Sequence, residues 1–549
     1  MSSTLYRNGV IHSEADPFAQ AVLVSEGTIA WLGSDDVAAG LAANADDVVD
    51  LDGALVAPAF VDAHAHVLET GLAMEGLDLS AAAGVRSRAD ALAALARAAD
   101  AARAAGATGP LLGHGWDERE WPEGRAPTRQ EIDAATGGAP VYLARIDVHS
   151  AVVSSSFADV AGLVALSGWN VDGHLRGEAH LAAREVAREV DPAHREALYR
   201  RTLAVAAAHG VASLHEHSAP FIDTREGLVT LLDMTSSPGS ALPHVVGYRG
   251  ELCGTVEDAR EVLAAVPGLT GIGGDLDIDG SIGSRTAALR APYSDLEGAG
   301  EHTGSLYLTA EQVCRHLVAV TAAGVHASFH VIGDRAMDEF LRGLESAVDI
   351  AGLDAIRDAG HRVEHAEMVD APALAALVLL GVRLSMQPAF DATWGGSDGM
   401  YAVRLGAARA ASLNPLADLV VAGVPLAFGS DSPVPPIDPW AGVRAAVTHH
   451  EPDQRISARA AFRAHTSGGW RLAGLEHTGA GEIRLGAPAH LALWRAERLV
   501  VQLADGRVAA WRTAARAGTP LLPDLGPDAA PPVCLRTLRD GVVIYDALS

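Results

Sequence analysis

The sequence predicts an α/β fold: a (β/α)8 TIM-like barrel with a small β domain assembled from both chain ends. Three observations carry the prediction. Between about residues 58 and 480, apolar runs alternate with Ala-, Leu- and Arg-rich helical segments. Several of those runs turn abruptly polar where they end. Both termini instead read as short strands joined by turns.

Residues 1–57 contain AVLVSEGTIAWLGS, where Glu26-Gly27 punctuates two strand-like runs as a hairpin turn. The run LVAPAFVDAHAHV then begins the barrel. It is continuously hydrophobic until its polar end, as a strand buried on both faces of a parallel sheet must be. Helical texture follows in ADALAALARAADAARAAGA and TAEQVCRHLVAVTAAGV. The further strand ends are PVYLARIDVHS, GVASLHEH, GGDLDIDGS, VHASFHVIG, HRVEHAE, VRLSMQP and VPLAFGSDS, which make eight with DAHAHV. Parallel strands with helical crossovers close into a barrel whose C-terminal face carries the chemistry. Residues 268–310 and 390–410 are long Gly-, Asp- and Ser-rich loops suited to pocket walls or lids. In residues 481–549, HLALWRAERLVVQLADGRVAAWR and CLRTLRDGVVIYDA pair strand-like runs through Asp-Gly turns, and LLPDLGPDAAPPV within 520–533 is a proline-rich surface crossing.

With 549 residues, 49% of them hydrophobic and 20% charged, the chain can bury a large core and more than one folding unit. A formal charge of −28 disfavours nucleic acid and anionic membrane surfaces, so a small-molecule partner is expected. Cys253, Cys314 and Cys534 lie far apart without a CxxC, which points away from disulfides and thiolate zinc sites and towards a cytoplasmic location. The N-terminus lacks a basic start followed by an apolar core, and no apolar stretch reaches membrane-spanning length. Lysine is absent: all 41 residues of the Lys+Arg total are arginine.

His64 and His66 stand two apart on one strand, hence on one face about 6.5 Å apart, a metal-binding spacing. His330 shares a face with His326 and Ser328, and His365 ends another short strand, its neighbour Glu364 being expected to point towards the helices. Asp431 ends PLAFGSD, where a carboxylate is costly to bury unless paired or metal-bound. Buried structural histidines are the competing account. Imidazoles plus a carboxylate suit zinc, which lowers the pKa of its water to about 7 and polarises a carbonyl, with Asp431 placed to shuttle a proton.

PAFVDAHAHV, HVIGDRAMD, RVEHAEMV and LAFGSDSPVPPIDP resemble signatures of the amidohydrolase superfamily. GHGWDEREWPEGRAPTRQEID, IDVHSAVVSS, DGSIGSRTAAL, SMQPAFDATW and LRTLRDGVVIYD resemble the branch that contains N-substituted formamide deformylase. The resemblance implies a metal-dependent hydrolase barrel over 58–480 and a β-sandwich built from 1–57 and 481–549. It implies His64, His66, His330, His365 and Asp431 as metal ligands, Asp431 and His365 as catalytic groups, and Asp62 orienting a ligand. Many relatives carry a lysine whose carbamate bridges two metals, four residues before the Asp-Gly of the DGS motif. Here that position is Asp275, and without lysine no carbamate can form.

Three states follow: one zinc ion held by His64, His66, His330 and Asp431, with His365 hydrogen-bonding the nucleophile or oxyanion; two ions bridged by Asp275 or by Glu216 at the third strand end; or an impaired site. The single ion is the expectation. Trp116, His149, Arg285 and Trp394 are the candidate pocket residues, with Val148 standing where the family has glycine before His149. The expected activity is hydrolysis of a non-peptide C–N bond in a linear amide, an N-formyl or N-acyl amine. The alternatives are deamination of an aminated heterocycle, with Asp334 as the extra carboxylate, and a metal-free binding or scaffold role. A homodimer is compatible with all three.

Overall fold

The computed structural model describes residues 3–237, 239–296, 302–501 and 519–548. Eight parallel strands, β1 (Phe60–Ala65), β2 (Val211–Ser218), β3 (His244–Arg249), β4 (Leu269–Ile272), β5 (His326–Val331), β6 (Arg362–His365), β7 (Arg383–Met386) and β8 (Leu426–Phe428), pair in chain order. A parallel bridge from Ala65 to Ser432 joins the first strand to the chain just beyond the last. Every residue of β1, β2 and β6 is buried, so the polar side chains that these strands carry must find partners inside the protein. The crossover helix Ala310–Ala323 shows how local signals set its limits. Thr309 and Gln312 form a capping box at its start, and Gly324 takes a left-handed φ of 84° at its end.

Two strand assignments change. PVYLARIDVHS does not enter the barrel: Val141–Arg145 pairs with Leu111–Trp116 and Ala151–Val153 in a separate five-stranded sheet, completed by Leu77–Asp78 and His174–Leu175, between β1 and β2. That strand is parallel to one neighbour and buried throughout, so its sequence texture equals that of a barrel strand. The barrel strand missing from the sequence reading is β3, HVVGYR, which bonds to β2 and β4. GVASLHEH is therefore the second strand of the barrel rather than the third.

The chain ends build two sheets. One contains Ser3–Arg7, Ala21–Ser25, Thr28–Gly33 and Asp47–Asp50; the other contains Val10–Ile11, Leu55–Pro58, Leu491–Arg495, Val533–Arg539 and Val542–Asp546. Glu26-Gly27 and Asp540-Gly541 both adopt positive φ in tight hairpins, as Gly at the second turn position allows. The expected Asp505-Gly506 turn lies outside the described residues. In the stretch 520–533, Leu522–Pro523 pairs with Leu499–Val500. Trp494 from the second sheet packs against Phe60 and Trp440 at ring distances of 5.7 and 5.5 Å. It lies so close to Gly210 (φ 76°) that any Cβ there would stand 2.2 Å from its ring. Cys253, Cys314 and Cys534 are free and buried. Among the described residues no helix is long and apolar enough to cross a membrane.

Two buried histidines between barrel and helices make stability pH-dependent. His316 accepts the Cys253 N–H at 3.0 Å on Nδ1 and donates from Nε2 to the Ile272 carbonyl at 3.1 Å. His361 accepts the Ala327 N–H at 2.9 Å. Burial pushes their pKa values down to about 4 and about 3. The unfolded chain therefore takes up protons below about 6.5 while the folded chain resists, so stability present above pH 6.5 is lost as pH falls towards 4. For His316 the loss approaches ~3 kcal/mol. Urea melts at pH 7 and pH 4.5 are expected to show a large fall for the parent and a smaller one for His316→Asn; equal falls would refute this.

Candidate active site

β1 sends His64 into the barrel mouth and presents His66 at its end. His64 Nδ1 lies 2.9 Å from Glu364 Oε2, and His66 Nδ1 lies 3.0 Å from the His217 carbonyl. Those acceptors fix the protons on Nδ1 and leave both Nε2 lone pairs facing the centre. There, His64 Nε2 stands 3.4 Å from both Asp275 Oδ1 and Asp431 Oδ1. His66 Nε2 stands 3.3 Å from Asp275 Oδ2 and 3.2 Å from Asp431 Oδ1. Ligands about 2.0–2.1 Å from a shared tetrahedral ion stand about 3.3 Å from one another, so these atoms fit one ion. His64 Nε2 and Asp275 Oδ1 are buried with no hydrogen-bond partner, the state expected of atoms reserved for a cation. Burial alone would depress the His66 imidazole, yet Asp275 and Asp431 carry it up to about 9. The field of the pocket thus favours positive charge.

A second group lies alongside. Asp275, His330 and His365 offer ligand atoms within 4.8 Å of one another, as do His64, His365 and Asp431, and His64, His66 and Asp275. The rings of His330 and His365 are 4.4 Å apart, and Gln387 Oε1 holds His365 Nδ1 at 2.8 Å. The structure therefore gathers His330 with His365 and Asp275 rather than with His64 and His66, unlike the single-ion set read from the sequence. Asp275 belongs to both groups.

Beneath the histidines runs a buried polar layer. Glu364 points inward, not towards the helices: besides His64 it accepts from the Ser328 hydroxyl and from Arg362 Nε and Nη2 at 2.7 and 2.8 Å. Strand alternation puts Arg362 and Glu364 on the inner face, and left-handed φ values of 69° at His365 and 47° at Ala366 then swing His365 into the site as well. Arg362 is fully buried, donates to the Ala63 carbonyl and the Tyr248 hydroxyl at 2.9 Å each, and lies 4.6 Å over the Tyr248 ring. His217 stacks flat on His64 at 4.0 Å. Sequence reasoning missed Arg362 and His217, although Arg362 stands two residues from Glu364 and His217 next to Glu216, both of which it did weigh.

Asp62 holds backbone rather than a ring, accepting the N–H groups of Ser430 at 2.8 Å and His64 at 3.3 Å. Glu216 stays out of the cluster: it accepts the Val67 N–H at 2.6 Å at the start of helix Val67–Glu75, and burial holds its carboxyl up at about 8. The ligand atoms open onto a narrow cavity lined by His149, His330, His365, Phe390, Trp394 and Asp431 among others. Trp116 does not reach it, being buried in the inserted sheet with Nε1 donating to the Leu143 carbonyl. Arg285 is paired with Asp295 at 2.7 Å and faces an outer crevice instead. Val148 takes φ 48°, a strained conformation for a β-branched residue, and this turn delivers His149 to the cavity.

Residues 47–545 match the family model described as Amidohydrolase family. The chain belongs to the amidohydrolase family. It is 28% identical over 511 residues to Protein LONG AFTER FAR-RED 3 of Arabidopsis thaliana, covering 87% of this chain and 84% of that protein. It is 23% identical over 486 residues to N-substituted formamide deformylase of Arthrobacter pascens, covering 82% of this chain and 85% of the relative. Among solved structures, an uncharacterized metal-dependent hydrolase from Pyrococcus furiosus superposes with a TM-score of 0.68 at 26% identity, over 89% of this chain and 98% of that one. The barrel of this amidohydrolase and its cluster of His and Asp ligand atoms are those of a metal-dependent hydrolase family.

Within this amidohydrolase, Asp275 occupies the strand-end position at which the sequence comparison anticipated a lysine. A carbamylated lysine brings its carboxylate on a long arm, whereas aspartate must be carried close by its backbone. The chain makes that approach through Gly273 and Gly274 with φ of 140° and 95°. A Cβ on Gly273 would strike the Ser328 carbonyl at 2.0 Å, and one on Gly274 the His217 ring at 2.4 Å.

Proposed function

We propose that this amidohydrolase cleaves a non-peptide C–N bond in a linear amide, an N-formyl or N-acyl amine, at a zinc site in which Asp275 is the carboxylate shared by two ion positions. His64, His66 and Asp431 complete one position and His330 and His365 the other. The observation that carries this reading is the membership of Asp275 in both ligand groups, with its buried Oδ1 unpartnered. Zinc bound there would polarise the scissile carbonyl and make water a competent nucleophile near neutral pH. Asp431 directs Oδ1 at His64 and His66, which leaves Oδ2 to take the proton of the attacking water and return it to the departing amine nitrogen. Glu364 and Gln387 keep the rings of His64 and His365 in place throughout.

The deaminase alternative loses its extra carboxylate, because Asp334 Oδ1 accepts the Arg290 N–H at 2.7 Å at the start of helix Asp334–Ala351 and does not line the cavity. Elemental analysis of purified protein is expected to give about two zinc ions per chain, falling to one or fewer in Asp275→Ala. A ratio near one that survives Asp275→Ala would restore the single-ion site, and a ratio near zero would favour a scaffold. Metal-replete protein is expected to hydrolyse at least one member of a panel of N-substituted formamides and N-acyl amines. Silence across the panel, with a deformylase control active, would refute the amide assignment.

A further inference from the structure

We infer that the inner end of the catalytic cavity is an amine-recognising subsite built from Glu367, Phe390, Trp394 and Tyr401, so that the substrate carries a second, cationic nitrogen on an apolar arm beyond the scissile bond. This rests on the hydrolase reading for its name as a substrate subsite, though not for its ability to bind.

Glu367 follows the left-handed pair His365 and Ala366, and that turn brings its side chain to the cavity wall. It is 3% exposed, and its Oε2 has no hydrogen-bond partner. Among the described residues no arginine or histidine lies within ion-pair distance of it; the charged groups that bear on it are Asp279 and Asp431, which repel. The Tyr401 hydroxyl is its polar neighbour, and Tyr401 in turn neighbours the Asn414 amide. A buried carboxyl with one oxygen unpartnered and no cation beside it can take a donor from outside the chain.

The walls select the kind of donor. Phe390 and Trp394 stand 4.8 Å apart, Trp394 and Tyr401 6.2 Å apart at a steep angle, and all three line the same cavity. Aromatic faces attract cations and apolar stems alike, and a carboxylate at the end of such a box completes the recognition of an ammonium group. The formal charge of −28 would also raise the local concentration of cationic ligands.

The test uses zinc-loaded full-length protein and two probes of equal shape, 2-phenylethylammonium and neutral 2-phenylethanol, titrated by calorimetry. Binding of the ammonium at least about tenfold tighter than the alcohol is expected, with that ratio erased in Glu367→Gln and both probes weakened in Trp394→Leu. Equal affinities on the parent chain, no binding of either probe, or a ratio unchanged in Glu367→Gln would overturn the inference. The parent comparison decides the matter even if the Glu367 variant does not fold. Binding without amide turnover would sink the hydrolase reading and leave the subsite standing; turnover without ammonium preference would do the reverse.

Discussion

Replacing His64 and His66 together with alanine is expected to leave the chain folded, with at most one bound metal ion, and to reduce hydrolysis of the proposed amide substrates at least about a thousandfold, ~4 kcal/mol of barrier. The reason is geometric. Both imidazoles face the centre through Nε2 because Glu364 and the His217 carbonyl occupy Nδ1, and among the described residues no other side-chain nitrogen pairs closely with both Asp431 and Asp275. Without them the position keeps Asp275 and Asp431 alone, too few donors to complete a tetrahedral site. Elemental analysis and initial rates on the same preparation check this together. Retention of two ions, or of more than about a tenth of the rate, would remove the pair from the catalytic centre.

The second large effect is structural. Arg362→Ala is expected to destabilise the fold by about 3–5 kcal/mol, because it strands Glu364 as an uncompensated charge where neither partner is exposed. The guanidinium also fastens the Ala63 carbonyl of β1 and lies over Tyr248 of β3, so its loss slackens three strands together. Denaturant melts of metal-free protein isolate the effect from ion binding. Arg362→Met combined with Glu364→Gln is expected to recover part of the loss, since the amide can still accept from His64 Nδ1 without carrying charge. A cost below about 1 kcal/mol for the single variant would mean that water reaches Glu364 and that the layer is not sealed.

The barrel and much of its face were legible because they depend on local alternation. DAHAHV places His64 and His66 on one face, whereas Asp275 came into view through the family resemblance around the DGS motif. Glu364 was misread because alternation was counted from His365, whose left-handed backbone leaves no trace in residue type. The same limit applies to strand identity. Val141–Arg145 is buried and parallel-paired in its own sheet, and a buried strand is written alike whichever sheet receives it. Trp116 illustrates the opposite error: an aromatic in a family-like loop reads as a ligand contact until its indole is seen bonded inside the inserted sheet. Arg362 could have been found, since an arginine two residues before a glutamate lies on the same face of a strand, and a buried strand requires such a charge to have an internal partner.

The insertion between β1 and β2 also governs how the molecule must assemble. Phe60 pairs with Val211, Ala65 meets Ser432, and Leu55–Pro58 lies against Leu491–Arg495. Strands made early on the ribosome therefore wait for partners made hundreds of residues later, so closure is dominated by distant pairings and is expected to be slow. A truncated product ending near residue 480 would leave the edge at Leu55–Pro58 bare and Phe60 without the cover of Trp494, and such a fragment is expected to aggregate instead of yielding a free-standing barrel.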